Sequence, residues 1–511
     1  MRDGHSTCDS HPPLSVSRLP FPAAVIGIAA ILYLLSLRAY YVGFFNDDAF
    51  YIIGARSLLG GRYSELNAPG HPPLVNYFPG YSMLLAPIAA FHPASLLAYQ
   101  IFSVVLAVST LVLLRRWLDA SGASDRVATA AVLVAAFNPL TISHSGVVLS
   151  ELPLSFFLLL SLLALRRAWD KESSVDWVAP AVLMGACALL RPEAVFLPLA
   201  AAAALALGRR WRLAGLCLLS LSGVFAFCLR NYIFERTWLV YGIEAADPYR
   251  ASPFASLIQN ALGGARYYLG LLFARIFFRM PADSHGLLGA AAVVAGSTVT
   301  TIGAYRAKRG GAETVLQLYL TIIFAVFFLW TKRAGRYLLP ALPFLSGYLF
   351  AGVESLSSTL EGKKRLVSGA CALSLICCAF PDYRIVRTSL LERTPLNAPA
   401  REAYAWVKNR TAPADLFAAE WDGRFFLRTG REALHLPRPS TPGALARWLT
   451  EHRVRYVFVE PSDFALMPAD RRAFNAPWEG PELNSFLVKT GRCRLAFKDA
   501  SSGVAVYQVV L

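Results

Sequence analysis

The chain has 511 residues, 56% of them hydrophobic and only 16% charged, with a net charge of +16 and a mean hydropathy of +0.46. Soluble domains carry about 45–50% apolar and about 25% charged residues, so a water-soluble enzyme, a disordered tail and a coiled coil are excluded. What remains is a multi-pass membrane protein. The positive charge does not point to nucleic acid as a partner, because Lys and Arg gather in short loops between apolar spans, as the positive-inside rule requires.

In chain order, residues 1–20 read as a cytoplasmic tail and residues 21–42 as a signal anchor, since no small-residue cleavage site follows the apolar run before Asn46. A membrane helix needs about 20 mainly apolar residues. On that basis the further spans are 95–114, 127–143, 151–168, 177–191, 193–208, 211–229, 285–304, 314–331, 337–353 and 365–380, eleven in all. With the N-terminus cytoplasmic, each inside loop carries a basic cluster: Arg115/Arg116/Arg126, Arg166/Arg167/Lys171, Arg209/Arg210/Arg212, Arg306/Lys308/Arg309 and Lys363/Lys364/Arg365. One loop breaks the rule. Residues 331–336 put Lys332, Arg333 and Arg336 outside, which is either statistical scatter or a sign that something outside needs cations. Cys187, Cys217, Cys228, Cys371, Cys377 and Cys378 lie in or beside apolar spans and read as small buried hydrophobes, not a disulfide framework.

An odd number of spans leaves residues 382–511 outside. There the pattern turns polar: Ala400–Lys408 and Gly443–Glu451 are helical, Leu416–Glu420 and Tyr456–Glu460 extended, and Gly503–Val510 alternates as a strand does. Helical and extended stretches in alternation predict a soluble α/β domain of about 130 residues, large enough for its own core. Two outer segments, 43–94 and 230–284, exceed the length of ordinary connectors. Their aromatic, half-apolar patterns suit helices lying in the membrane interface. The architecture expected is therefore an all-α polytopic membrane domain over 21–381 with a C-terminal α/β domain, and a working surface on the outer face.

Asp47 and Asp48 open the first outer loop directly after the first span. Adjacent carboxylates at a membrane boundary are costly to hold unless used. They serve as a general base or as ligands for a hard divalent cation, or else they cap a helix N-terminus. The same loop contains Arg56, Glu65, His71 and Tyr77. Glu151 stands at the outer start of an otherwise apolar helix, where a carboxylate is functional by default. Arg191 and Glu193 flank Pro192 at the next outer hinge and are placed to pair with each other. No Walker loop, Rossmann glycine pattern, Gly-x-Ser-x-Gly or Cys-x-x-Cys is present.

A first span followed by an Asp-Asp pair, then HPPL…YFPGYSMLLAP, SELPLSFFLLLSLLAL, LLRPEAVFLPLA and RYLLPALPFLSGYLFAG, resembles the GT-C superfamily of membrane glycosyltransferases. Bacterial enzymes similar to dolichyl-phosphate-mannose–protein mannosyltransferases and to lipid A aminoarabinose transferases share the order and topology of these motifs. The stretch AREAYAWVKNRTAPADLFAAEWDGRFFLRTGREALHLP resembles the soluble outer domain such proteins carry. The resemblance implies a multi-pass protein of the bacterial inner membrane that transfers a hexosyl or pentosyl group, with inversion, from a polyprenyl-phosphate-linked donor. The acceptor is a lipid, glycan or protein on the outer face. It also implies an acidic catalytic residue at Asp47, with Asp48 beside it, and a second at Glu151. Arg56 and Arg336, with Lys332 and Arg333 as basic neighbours, would hold the donor phosphate. Metal use varies in the superfamily, and Glu65 with His71 is the pair suggested for a divalent ion. A transporter and a polymerase or ligase of lipid-linked glycans are the alternatives. No internal repeat of the transporter kind is visible in the sequence.

Overall fold

The computed structural model describes residues 20–38, 40–238, 253–277, 286–307, 310–357, 363–391, 400–437, 441–460, 480–500 and 502–510. The expected N-terminal tail, apart from Pro20, residues 239–252 and 278–284 of the second long loop, and residue 285 at the start of the next span lie outside this set.

Among the described residues every predicted span carries helix. In chain order these are α1 (Pro20–Leu35), α2 (Asp47–Leu59), α3 (Pro79–Phe91), α4 (Leu96–Ala120), α5 (Asp125–Ala136), α6 (Pro139–Ser145), α7 (Glu151–Ala168), α8 (Val178–Leu190), α9 (Phe196–Leu207), α10 (Trp211–Leu219), α11 (Ser222–Glu235) and α12 (Pro253–Leu269). They continue with α13 (Leu287–Arg306), α14 (Gly311–Leu329), α15 (Leu342–Ser357) and α16 (Lys363–Leu391). Side chains at the starts satisfy the open amides: Ser95 caps α4, Ser124 caps α5 and Asn138 caps α6.

Helix length tells a different story from helix number. Four described helices are long and apolar enough to cross a membrane alone, or six if each bent pair is one span. The span read over 127–143 is the pair α5 and α6, bent by 54°, and the one over 211–229 is α10 and α11, bent by 41°. The first bend is local chemistry: Asn138 caps and Pro139 starts a new helix, since proline has no amide to continue the old one. α8 and α9 are short because Arg191, the residue before Pro192, is extended and a 3₁₀ turn over Pro192–Val195 follows.

The large core runs through the bundle, with Tyr33, Trp117, Leu158, Ala201, Tyr268, Tyr319 and Phe344 among its members. α13 and α15 cross at backbone contact, where a side-chain carbon on Gly303 would strike the Tyr348 carbonyl and one on Gly352 the Val299 carbonyl. Small residues at such crossings let membrane helices pack by van der Waals contact. Outward-facing Ile28, Ile31, Leu288, Val294, Ile376 and Phe380 are exposed. Such an apolar perimeter suits lipid rather than water.

The C-terminal part is built as the sequence pattern predicts. α17 (Arg401–Arg410), β1 (Phe417–Ala419), α18 (Asp422–Thr429), β2 (Ala433–His435), α19 (Pro442–Glu451), β3 (Tyr456–Val459), α20 (Gly480–Lys489), β4 (Cys493–Lys498) and β5 (Ala505–Val509) form a five-stranded sheet with helices. Strand order is β2-β1-β3-β5-β4. β1 pairs in parallel with β2 and β3, and β5 runs antiparallel to β3 and β4. This unit sits on one end of the bundle. Trp421 enters a core of Tyr41, Phe44, Phe45, Tyr51, Tyr81, Val148 and Leu190, so the loop before α2, the segment before α7 and the end of α8 meet beneath it.

Candidate active site

The two adjacent aspartates do different things. Asp48 is fully buried, and its Oδ2 accepts the Gly43 amide at 2.7 Å. Gly43 has φ +94, a conformation that glycine adopts without strain. Asp48 thus closes the turn that leads into α2. Asp47 points elsewhere and keeps 29% of its side-chain surface exposed. Its Oδ2 lies 2.5 Å from Arg336 Nη2, and its Oδ1 accepts the Tyr77 hydroxyl at 3.2 Å. Tyr77 is held by stacking on Phe50, centroids 5.2 Å apart. It comes from the YFPG segment that introduces α3.

Arg336 sits in a 3₁₀ turn over Gly335–Leu338, in the loop that breaks the charge rule. Its Nε lies 3.2 Å from Glu151 Oε1. The same carboxylate oxygen takes Arg191 Nη1 at 2.9 Å. Arg191 also donates to Ser150 Oγ at 3.1 Å and pairs with Glu193. Ser150 in turn bonds the Tyr51 hydroxyl at 2.9 Å. Aromatic faces complete the setting: Arg191 lies 5.4 Å from the Tyr337 centroid, and Arg336 lies 5.4 Å from that of Phe45. Glu151 is 1% exposed, Arg336 10% and Arg191 12%. Buried charges of this kind persist only when paired. Here a chain of alternating sign, Asp47–Arg336–Glu151–Arg191–Glu193, runs across four separate segments.

Not every predicted residue joins it. Arg56 lies in the last turn of α2, about 13 Å along the helix from Asp47 at 1.5 Å per residue, and donates to the Pro93 carbonyl at 2.6 Å. Arg333 reaches α12, donating to the Asn260 carbonyl at 3.4 Å. Next to it, the Ala334 amide donates to the Tyr268 hydroxyl at 3.4 Å. His71 pairs with Glu432 at 3.3 Å. Glu65 lies near Asp422 and Glu235, and burial with these two carboxylates pushes its pKa up to about 7. Among the described residues no three His, Cys, Asp or Glu side chains gather as a metal site. Glu65 and His71 are therefore not part of a group of three such side chains.

Reading the sequence also left out residues that the fold brings in. Tyr77 was visible only as a loop aromatic, and Arg191 as half of a local pair. The C-terminal unit contributes more, with no sequence signal to announce it. Asp422 accepts from Asn67 at 2.8 Å and from Asn46 at 3.3 Å. Arg424, fully buried, pairs with Glu460, bonds the Tyr41 hydroxyl and stacks on Tyr41 and Trp421. These contacts grip both sides of the turn that carries Asp47.

Residues 70–233 match the family model described as dolichyl-phosphate-mannose-protein mannosyltransferase. That segment holds Tyr77, Glu151 and Arg191, while Asp47 and Arg336 lie outside it. No curated protein matches the chain. Among solved structures, apo ArnT from Cupriavidus metallidurans is similar with a TM-score of 0.58 at 11% identity, over 95% of this chain and 97% of that one. The same protein bound to undecaprenyl phosphate gives 0.56 at 12%. The apo oligosaccharyltransferase of Archaeoglobus fulgidus gives 0.54 at 15%, over 96% of this chain and 75% of that one. At such identities the likeness is one of fold. The chain thus shares its fold with the GT-C superfamily of membrane glycosyltransferases, and over residues 70–233 its sequence is similar to the dolichyl-phosphate-mannose-protein mannosyltransferases.

Proposed function

We propose that this protein is a membrane glycosyltransferase that moves a sugar from a polyprenyl-phosphate donor to a lipid, glycan or protein acceptor on the outer face of the membrane. The observation that carries the reading is the Asp47–Arg336 pair, a part-exposed carboxylate beside a buried guanidinium, at the end of the bundle where the α/β unit docks. Glycosyl transfer needs these two groups: a base for the acceptor proton and a cation for the leaving phosphate. The family match and the undecaprenyl phosphate held by ArnT support the donor class. A transporter gives such a cluster no task, and a lipid-linked glycan polymerase or ligase differs only in the acceptor.

In this reading Asp47 takes the acceptor proton as the acceptor oxygen attacks the anomeric carbon. The bond from that carbon to the phosphate oxygen breaks with inversion, and Arg336 balances the charge left on the phosphate. Guanidinium suits this role because its planar fork matches phosphate oxygens. The topology that goes with it has eleven spans, a cytoplasmic N-terminus and residues 382–511 outside the inner membrane. Purified protein supplied with polyprenyl-monophosphate sugars and, separately, with nucleotide sugars decides the matter. Turnover with the former alone is expected, and turnover with a nucleotide sugar in lipid-free detergent overturns the proposal. Reporter fusions after Lys308 and after Leu511 test the orientation, with outside activity expected only at Leu511.

A further inference from the structure

The base and the phosphate-binding cation proposed above are bonded to each other. With Arg336 Nη2 2.5 Å from Asp47 Oδ2, the two groups neutralise one another. Arg336 is not spent on that bond. Its Nε lies 3.2 Å from Glu151 Oε1 as an ion pair, yet Nε and Nη1, both buried, make no hydrogen bond among the described residues. Neither does Glu151 Oε2. A buried donor without a partner is costly unless something arrives to use it. The cluster also carries three carboxylates against two guanidiniums, so an incoming phosphate finds both cations already opposite carboxylates and must displace one to bind a guanidinium.

We infer that Arg336 is an exchangeable counter-ion, pivoting on Glu151, which leaves Asp47 for the donor phosphate and so frees the base only once donor is bound. The inference rests on the glycosyltransferase reading. Charge bookkeeping through the reaction supports it. Before transfer, Asp47 and the donor phosphodiester each carry one negative charge. As the acceptor hydroxyl gives its proton to Asp47, that carboxyl becomes neutral. The electron pair of the broken sugar–oxygen bond stays on the phosphate, which becomes a doubly charged monoester. One unit of charge therefore moves from Asp47 to the phosphate, and a guanidinium between them serves as partner to both states. Glu151, buried and touching both arginines, is then a positioning residue: it fixes the pivot and holds Arg191 alongside while the outer nitrogens change partner.

The test is binding of undecaprenyl phosphate to the full-length protein in detergent, alongside turnover. Asp47→Asn keeps the shape but removes the carboxylate that competes for Arg336. Exchange predicts that this variant loses turnover yet binds undecaprenyl phosphate about tenfold more tightly than wild type, the scale of an ordinary coupling between two ligands for one site. Tyr77→Phe, which loosens Asp47 without removing its charge, should tighten binding by far less. Glu151→Gln should raise the donor KM with a smaller change in kcat, whereas Asp47→Asn should act on kcat. Equal or weaker binding by Asp47→Asn, in a preparation whose wild type turns over, overturns the exchange and leaves the proposed function standing. A wild type that neither binds undecaprenyl phosphate nor uses polyprenyl-linked sugars overturns both.

Discussion

Glu151 Oε1 is shared by two guanidiniums, 2.9 Å from Arg191 Nη1 and 3.2 Å from Arg336 Nε. One carboxylate, 1% exposed, thereby ties the loop after α8 to the loop after α14. Replacing it by alanine leaves two buried cations short of a partner. Breaking a buried pair in this way costs about 3–5 kcal/mol, so Glu151→Ala should lower the thermal midpoint in detergent markedly. Glu151→Gln, which still accepts hydrogen bonds, should lower it less. Equal midpoints for the two variants would mean that charge is not what holds these loops.

The adjacent aspartates should separate cleanly by readout. Asp47→Asn should reduce kcat by roughly 10²–10⁴-fold, the usual worth of a general base, at unchanged thermal stability. Asp48→Ala instead strips the acceptor from the buried Gly43 amide, a loss of about 1–3 kcal/mol, and should show in the thermal midpoint first. A kinetic defect of equal size in both, with both stable, would place the base within the pair wrongly.

Arg424 fastens the α/β unit to the loop before α2 through Glu460, Tyr41 and Trp421. Arg424→Met keeps the apolar stem and removes the charge, leaving Glu460 without this partner. Faster hydrogen exchange over residues 41–48 is expected, together with a fall in turnover. Unchanged exchange there would show that the docking does not depend on this side chain.

Acidity should tighten the same junction. The folded protein raises the Glu65 pKa from 4.5 to about 7, so the native state holds the proton that the unfolded chain gives up. The sign follows from linkage: this contribution is complete below about pH 4.5 and is lost as pH rises toward 7. His435, whose pKa is raised by the Asp422 carboxylate 3.8 Å from its Nδ1, acts in the same direction, being lost as pH rises through its folded value. It is 66% exposed, and water screens its share. Glu65→Gln should flatten the difference in thermal midpoint between pH 5 and pH 8, with the gain over wild type at pH 8.

Much of this was legible in the chain because of how membrane proteins are coded. Apolar runs and basic loops located helices in every span. Periodicity located α17, β1, α19, β3 and β5 to within a residue or two. β4 escaped because all six of its residues are exposed or half-exposed without alternation, and α18 because Gly423 and two arginines interrupt its apolar face. Asp47 and Arg336 stood out as charges misplaced for their depth. The division of labour between Asp47 and Asp48 could not be read, since the residue type is the same and only the Gly43 amide tells them apart. Arg191 was masked by Glu193 two positions on, a sufficient local partner that concealed the distant one.

The span between Asp47 and its counter-ion also sets the order in which the protein can be made. Arg336 follows Asp47 by 289 residues, roughly 15–60 s of synthesis at about 5–20 residues per second. For all that time Asp47 waits without this counter-ion, while the eight predicted spans between the two residues are made. The Asp422 and Arg424 contacts that hold the loop come later still. A ribosome that stops before the loop after α14 therefore releases a bundle in which Asp47 has never met Arg336. On the proposed reading, the pair that would carry the reaction is completed only once that loop has been made.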